Sequence, residues 1–140
     1  MLRLGGWYWF TSGKKKLDKN KCGKWMHFFS DQQFAIDICE KAIAEDVCYN
    51  CKCSDMEITR EQTGVICFYL EGDDIENHKR VIQFMIDNDL IRKTKTDKLY
   101  NIVFKYDYQT RAGEYGSDFK SELKLERFVD LNTGEWIYKE

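Results

Sequence analysis

The chain is 140 residues long with a formal net charge of −2, which is enough for one domain with a real core and lacks the basic excess of a general nucleic-acid binder. Proline is absent and aromatic residues make up 15% of the sequence, which excludes collagen-like, proline-rich and disordered classes. No apolar run approaches the roughly 18 residues of a membrane span. Met1 to Gly6 is too short, and too aromatic downstream, for a signal peptide. Six cysteines without a secretory leader are expected to be reduced thiols in a cytoplasmic protein.

In chain order, Trp7-Tyr8-Trp9-Phe10-Thr11 consists almost wholly of strand formers. A basic stretch from Lys14 to Lys21 follows, opened by Ser12-Gly13 and closed by Gly23. It reads either as a solvated hairpin loop or as a flexible basic lip over an anionic ligand. Lys24-Trp25-Met26-His27-Phe28-Phe29 is the next strand, with Trp25 and Phe28 on opposite faces by the period of two. The two strands are expected to form an antiparallel pair joined by the long loop. Ser30-Asp31-Gln32-Gln33 fits a capping box with Ser30 at the cap. The stripe Phe34, Ile38, Ala42 with Ala35, Cys39, Ile43 then predicts a helix ending near Asp46.

Val47 to Asp55 predicts a short, cysteine-rich strand with frayed ends. Gly64 to Leu70 is the most apolar run in the chain and is expected to be central in a sheet. Glu71-Gly72-Asp73-Asp74 reads as a turn in which either aspartate can cap a second helix. That helix carries Ile75, His78, Ile82, Met85 and Ile86 on one face and ends near Asn88. Tyr100 to Tyr106 predicts a further strand, Asp107 to Asp118 a loop with Gly113 and Gly116. Leu123-Lys124-Leu125 and Trp136-Ile137-Tyr138 predict two late strands about the turn Asn132-Thr133-Gly134. The order β-β-α-β-β-α-β-β-β reads as α+β, a single domain over 1–140 with the helices on one face of an antiparallel sheet.

Candidate chemistry is sparse. Cys48-x-x-Cys51-x-Cys53 offers three sulfurs, with Cys22, Cys39 or His27 as a fourth, but the second Cys pair of a structural zinc site is missing. Ordinary packed thiols are the expected reading, with no metal and no cofactor. His27 and His78 lie in a strand and on a helix stripe, where a satisfied core histidine is the simpler role. The nucleophile elbow, phosphate loop, dinucleotide fingerprint and zincin motifs are all absent. Trp7 and Trp9 share a strand face and Trp25 lies on the neighbouring strand. They either pack in the core or stack a base in a cleft, with Lys14, Lys15, Lys16 and Lys24 near its phosphates. Lys105 leaves a strand end, and the loop after it presents Thr110, Arg111, Gly113, Tyr115 and Gly116. That loop either cradles an anion or is a turn held by Asp107 and Thr110.

Tyr8-Trp9-Phe10, the basic loop, Gly23-Lys24-Trp25-Met26 and the capped helix together resemble the start of the mRNA cap-binding initiation factor 4E fold. Gly23 to Phe28, Val65 to Tyr69 and Lys105-Tyr106-Asp107-x-x-Thr110-x-x-Gly113-x-Tyr115 are similar to the Bles family, a group with that fold whose members are regarded as phosphothreonine lyases. The resemblance implies a curved antiparallel sheet with two helices packed on one face and a ligand on the concave face. In the cap-binding factor two indoles sandwich a methylated base, and a lyase would need a Lys base with a His acid, for which Lys24 or Lys105 with His27 are the candidates.

The expected function is a small binding protein that holds a nucleotide or other phosphorylated ligand. Trp7, Trp9 and Trp25 would stack, with Lys24, Lys105, Thr110, Arg111 and Tyr115 around the phosphate. Two alternatives remain open: a phosphothreonine-lyase-like enzyme, and a small inhibitor, of the kind carried by mobile elements, that occludes a protein partner. Exposed aromatic residues would also permit a homodimer.

Overall fold

A computed structural model describes residues 1–108 and 123–139. Its strands are β1 (Leu2–Leu4), β2 (Trp7–Thr11), β3 (Cys22–Phe29), β4 (Asn50–Ser54), β5 (Gly64–Glu71), β6 (Val103–Tyr106) and β7 (Leu123–Lys124). The helices are α1 (Gln32–Ala44), the one-turn α2 (Met56–Thr59) and α3 (Ile75–Asp87). The strands form one antiparallel sheet in the order β1-β2-β4-β5-β3-β6-β7. The architecture is α+β, as the element order predicts.

The expected β2–β3 hairpin does not form, because β4 and β5 lie between the two strands. β5, with the most continuous apolar run, takes the central place that covers both its edges. β2, whose indoles are only partly covered, sits one strand from the edge. Period-two alternation then sorts the side chains. Phe10, Cys51, Cys53, Ile66, Phe68, Leu70, Trp25 and Phe104 lie on the helix side within one buried cluster.

α1 is capped by Asp31 rather than Ser30. The Asp31 carboxylate accepts hydrogen bonds from the Gln33 and Phe34 backbone N–H groups, satisfying two of the donors a helix start leaves open. Ala35, Ile38, Cys39 and Ala42 are the buried stripe, and Phe34 is turned outward. Asp46 adopts a left-handed backbone (φ 56°), which stops the helix two residues before the expected end. Asp74 caps α3 through the Asn77 N–H, and Asn88 closes it.

The core is aromatic around one histidine. The Trp25 indole Nε1 donates to His78 Nδ1 at 3.0 Å. Since an indole only donates, Nδ1 is the acceptor and Nε2 carries the proton, which it donates to the Gly72 carbonyl at 2.9 Å. Phe128 stacks on the His78 ring (centroids 4.7 Å, 20°) and Phe104 meets it edge-on at 4.8 Å. Trp136 stacks in turn on Phe128. The late strand expected over Trp136–Tyr138 is reduced to a single bridge between Val129 and Trp136, because these rings serve as a lid on Phe128. Leu125 likewise leaves β7 for a 3-10 turn that buries it. Among the described residues no helix is long and apolar enough to cross a membrane.

Burial pushes the pKa of His78 below the ordinary histidine value of 6.5, with the Gly72 hydrogen bond opposing it, and burial lowers His27 as well. An unfolded histidine takes up a proton near 6.5, which the folded core resists. Stability is therefore full above about pH 6.5 and is lost progressively as pH falls from there toward the folded values. Thermal melts should show a decline in Tm that begins below about pH 6.5, before the carboxylates titrate. Trp25→Phe leaves His78 Nδ1 without its donor and opens a void, and urea unfolding should register a loss of about 2–4 kcal/mol.

Candidate functional site

The sheet face turned away from α1 and α3, the front face, carries the complementary set of side chains. Trp7, Trp9 and Thr11 of β2 stand opposite Ser54, Lys52 and Asn50 of β4. Lys52 in turn stands opposite Cys67 of β5, and Asn50 opposite Tyr69. Tyr69 faces Lys24 of β3, which faces Lys105 of β6. The strand register thus lines up three lysines, two indoles and a phenol across one surface.

Lys52 is its centre. The ammonium Nζ lies 3.8 Å from the Trp7 ring centroid, 4.7 Å from Trp9 and 5.6 Å from Tyr69, all cation–π distances. Burial lowers its pKa, and nearby Lys24 lowers it further, while Cys67 and Asp107 act in the opposite direction. Among the described residues no carboxylate forms an ion pair with Lys52. Among the described residues, Asp107 and Glu71 border this face and both are engaged. Lys24 Nζ lies 3.0 Å from Asp107 Oδ1, and Glu71 accepts from Lys15 Nζ and the Asp18 backbone N–H. Burial raises the Tyr69 phenol and pushes the Cys67 thiol up to about 11, so both stay protonated and neutral at pH 7.

Beside Lys52 the surface opens into a groove of about 910 Å³, within the size range of small-molecule sites. Trp9, Thr11, Asn50, Lys52 and Tyr69 line its sheet side, and Lys15 and Lys16 of the β2–β3 loop form its rim. That loop is no free basic arm: Lys14, Lys15 and Lys21 pair with Asp46, Glu71 and Asp73. Lys16 is the rim lysine without such a pair among the described residues.

Of the residues singled out from sequence, Trp7, Trp9, Lys24 and Lys105 share the front face. Lys24 and Lys105 occupy its buried end, 8% and 9% exposed. Trp7 and Trp9 cannot sandwich a base between them, since their rings are 6.4 Å apart and tilted by 57° with Lys52 against both. The Trp9 indole is fixed by a hydrogen bond from Nε1 to the Leu4 carbonyl, leaving its outer side at the groove. Trp25 is a correction: it is fully buried on the helix side, hydrogen-bonded to His78, because an odd position in β3 faces the helices. It takes no part in a front-face site.

His27 lies on that helix side too. Its Nδ1–H donates to the Leu90 carbonyl at 2.7 Å, beside Phe34. A Lys24–His27 or Lys105–His27 acid–base pair is thus not assembled, the sheet itself lying between the groups. Thr110, Arg111 and Tyr115 fall outside the described residues. Cys48, Cys51 and Cys53 are buried in the core, and among the described residues no group of three or more His, Cys, Asp or Glu side chains is placed to hold a metal ion.

Sequence reading missed Lys52, Asn50 and Tyr69. Lys52 sits between Cys51 and Cys53, where the cysteines drew notice. Alternation alone puts it on the face opposite theirs, but only the β2–β4 register brings it under the indoles.

Lys52 should titrate below the ordinary lysine value of 10.5 when followed by side-chain NMR. Lys24→Gln, which removes a neighbouring positive charge, should move that titration upward, and Asp107→Asn should move it further down. No protein-family model matches the chain, and no curated protein matches it at a significant level.

Proposed function

We propose that the front face binds a nucleotide or another phosphorylated ligand with a planar ring. The ring lies against the outer side of Trp9, and the phosphate is met by Lys52 at the floor of the groove and Lys16 at its rim. The observation that carries this reading is the Lys52 ammonium itself: partly desolvated, lodged against three aromatic rings, open to a groove and without a carboxylate partner among the described residues. A cation already stripped of part of its hydration costs less to bind and interacts more strongly in a low-dielectric setting. Aromatic stacking on one exposed ring face adds about 1–3 kcal/mol. Asn50 supplies a polar group at the same wall for the ring edge or sugar.

The buried end of the face plays a different part. Lys24 is paired with Asp107, and the two act in opposite directions on Lys52, so Lys24 holds the buried end of the face rather than meeting the phosphate directly. This describes a binding module; no acid–base pair for turnover is brought together among the described residues.

Titration calorimetry with adenosine and guanosine 5′-monophosphates, their cyclic forms and inorganic phosphate tests the proposal, with Trp fluorescence as a second readout. A nucleotide should bind more tightly than phosphate alone. Lys52→Gln and Trp9→Leu should each weaken binding by about tenfold or more, the scale of one charge-assisted hydrogen bond or one stack, at little change in Tm. Failure of every nucleotide to bind, or binding indifferent to both substitutions, would overturn it.

A further inference from the structure

The helix side of β4 holds a second concentration of chemistry that the front-face site does not use. Cys39 of α1 and Cys51 of β4 bring their sulfur atoms to 3.2 Å. Cys48 and Cys53 belong to the same buried cluster. All four are free thiols and all are buried. Cys67, by contrast, faces the front of the sheet across from Lys52, and Cys22 lies at the start of β3.

We propose that Cys39 and Cys51 form a redox-active dithiol, oxidised by hydrogen peroxide to a disulfide that ties α1 to β4. The Cys39 thiolate attacks one peroxide oxygen: an S–O bond forms, the O–O bond breaks, and hydroxide leaves, giving a sulfenic acid at Cys39. The Cys51 sulfur then attacks the Cys39 sulfur. The S–S bond forms, the S–O bond breaks, and the departing hydroxide takes the Cys51 proton as water. Two thiols are oxidised and one peroxide is reduced.

Cys39 is the attacking sulfur because it accepts the Cys51 hydrogen bond at 3.2 Å. That contact lowers its pKa, against the opposing effect of burial, and the thiolate is the nucleophilic form. Burial and the Cys39 contact hold the Cys51 proton in place until the second step. The oxidant must be small, since Cys39 has no exposed surface. Peroxide, little larger than water, reaches it during local opening of the segment between α1 and β4. The disulfide would close a loop between residues 12 apart, which restrains the unfolded chain and raises stability.

The test treats the reduced protein with peroxide near stoichiometry, removes the excess with catalase, and then counts thiols in denaturant and maps cross-linked peptides. The expected result is a fall from six thiols to four, an intramolecular Cys39–Cys51 link, a higher Tm, and recovery of six thiols with dithiothreitol. Cys39→Ala should abolish the link and Cys67→Ala should leave it intact. If Cys39→Ala does not fold, the wild-type map decides alone. Six titratable thiols after treatment, irreversible oxidation without a link, or a link that omits Cys39 or Cys51 would each overturn the proposal.

Discussion

The hydrogen bond from the Trp25 indole to His78, passed on from His78 to the Gly72 carbonyl, sets the rest of the structure in place. It joins the middle of β3 to the first turn of α3 and to the turn that precedes it. A buried imidazole is tolerable only when both nitrogens are satisfied, and here each has a single partner of the right polarity. With the ring fixed, Phe104, Phe128 and Trp136 stack outward from it. Gly23 belongs to the same arrangement, since a Cβ there would collide with the Phe104 ring and lie 2.8 Å from the Lys105 carbonyl oxygen. Committing Trp25 to this core fixes the parity of β3, and the parity of β3 decides which lysines reach the other face.

That division gives the two sides of the sheet separate chemistry. The helix side is sealed, and its polar atoms are nearly all paired. The front face collects Lys24, Lys52 and Lys105 in one register and leaves Lys52 on aromatic rings, with no carboxylate partner among the described residues. β4 serves both sides at once, with Lys52 toward the groove and Cys51 and Cys53 toward α1. A change in how α1 holds β4 would therefore act on the strand that presents Lys52.

Much of the fold was legible because local signals agreed. The apolar stripes of α1 and α3, a capping sequence before each, and the apolar run of β5 all point to the elements that form, although the cap of α1 is Asp31 and not Ser30. Strand order was not legible, because the hairpin reading of β2 and β3 rests on nearness in sequence, whereas pairing follows from which strand most needs cover on both edges. The three-residue β1 was missed as well, since Leu2-Arg3-Leu4 is too short to carry a pattern. At the site, Trp7 and Trp9 were legible as a shared face, but Trp25 was drawn to them by residue type although its position in β3 opposes it. Lys52 was invisible for the converse reason: a lysine between two cysteines means little until its cross-strand neighbours are known. His27 and Lys24 are three residues apart, a spacing that in a strand places them on opposite faces.

The central claim is that the two faces are functionally distinct and that ligand binding belongs to the front. Mapping NMR shifts during titration with a nucleoside 5′-monophosphate tests this most directly. The account predicts shifts at the Trp9 indole, Asn50, Lys52 and Tyr69, with the Trp25 indole and His78 ring unmoved. Shifts centred instead on the shallow surface hollow beside His27, Phe34 and Arg92, or a disturbed Trp25–His78 pair, would contradict it.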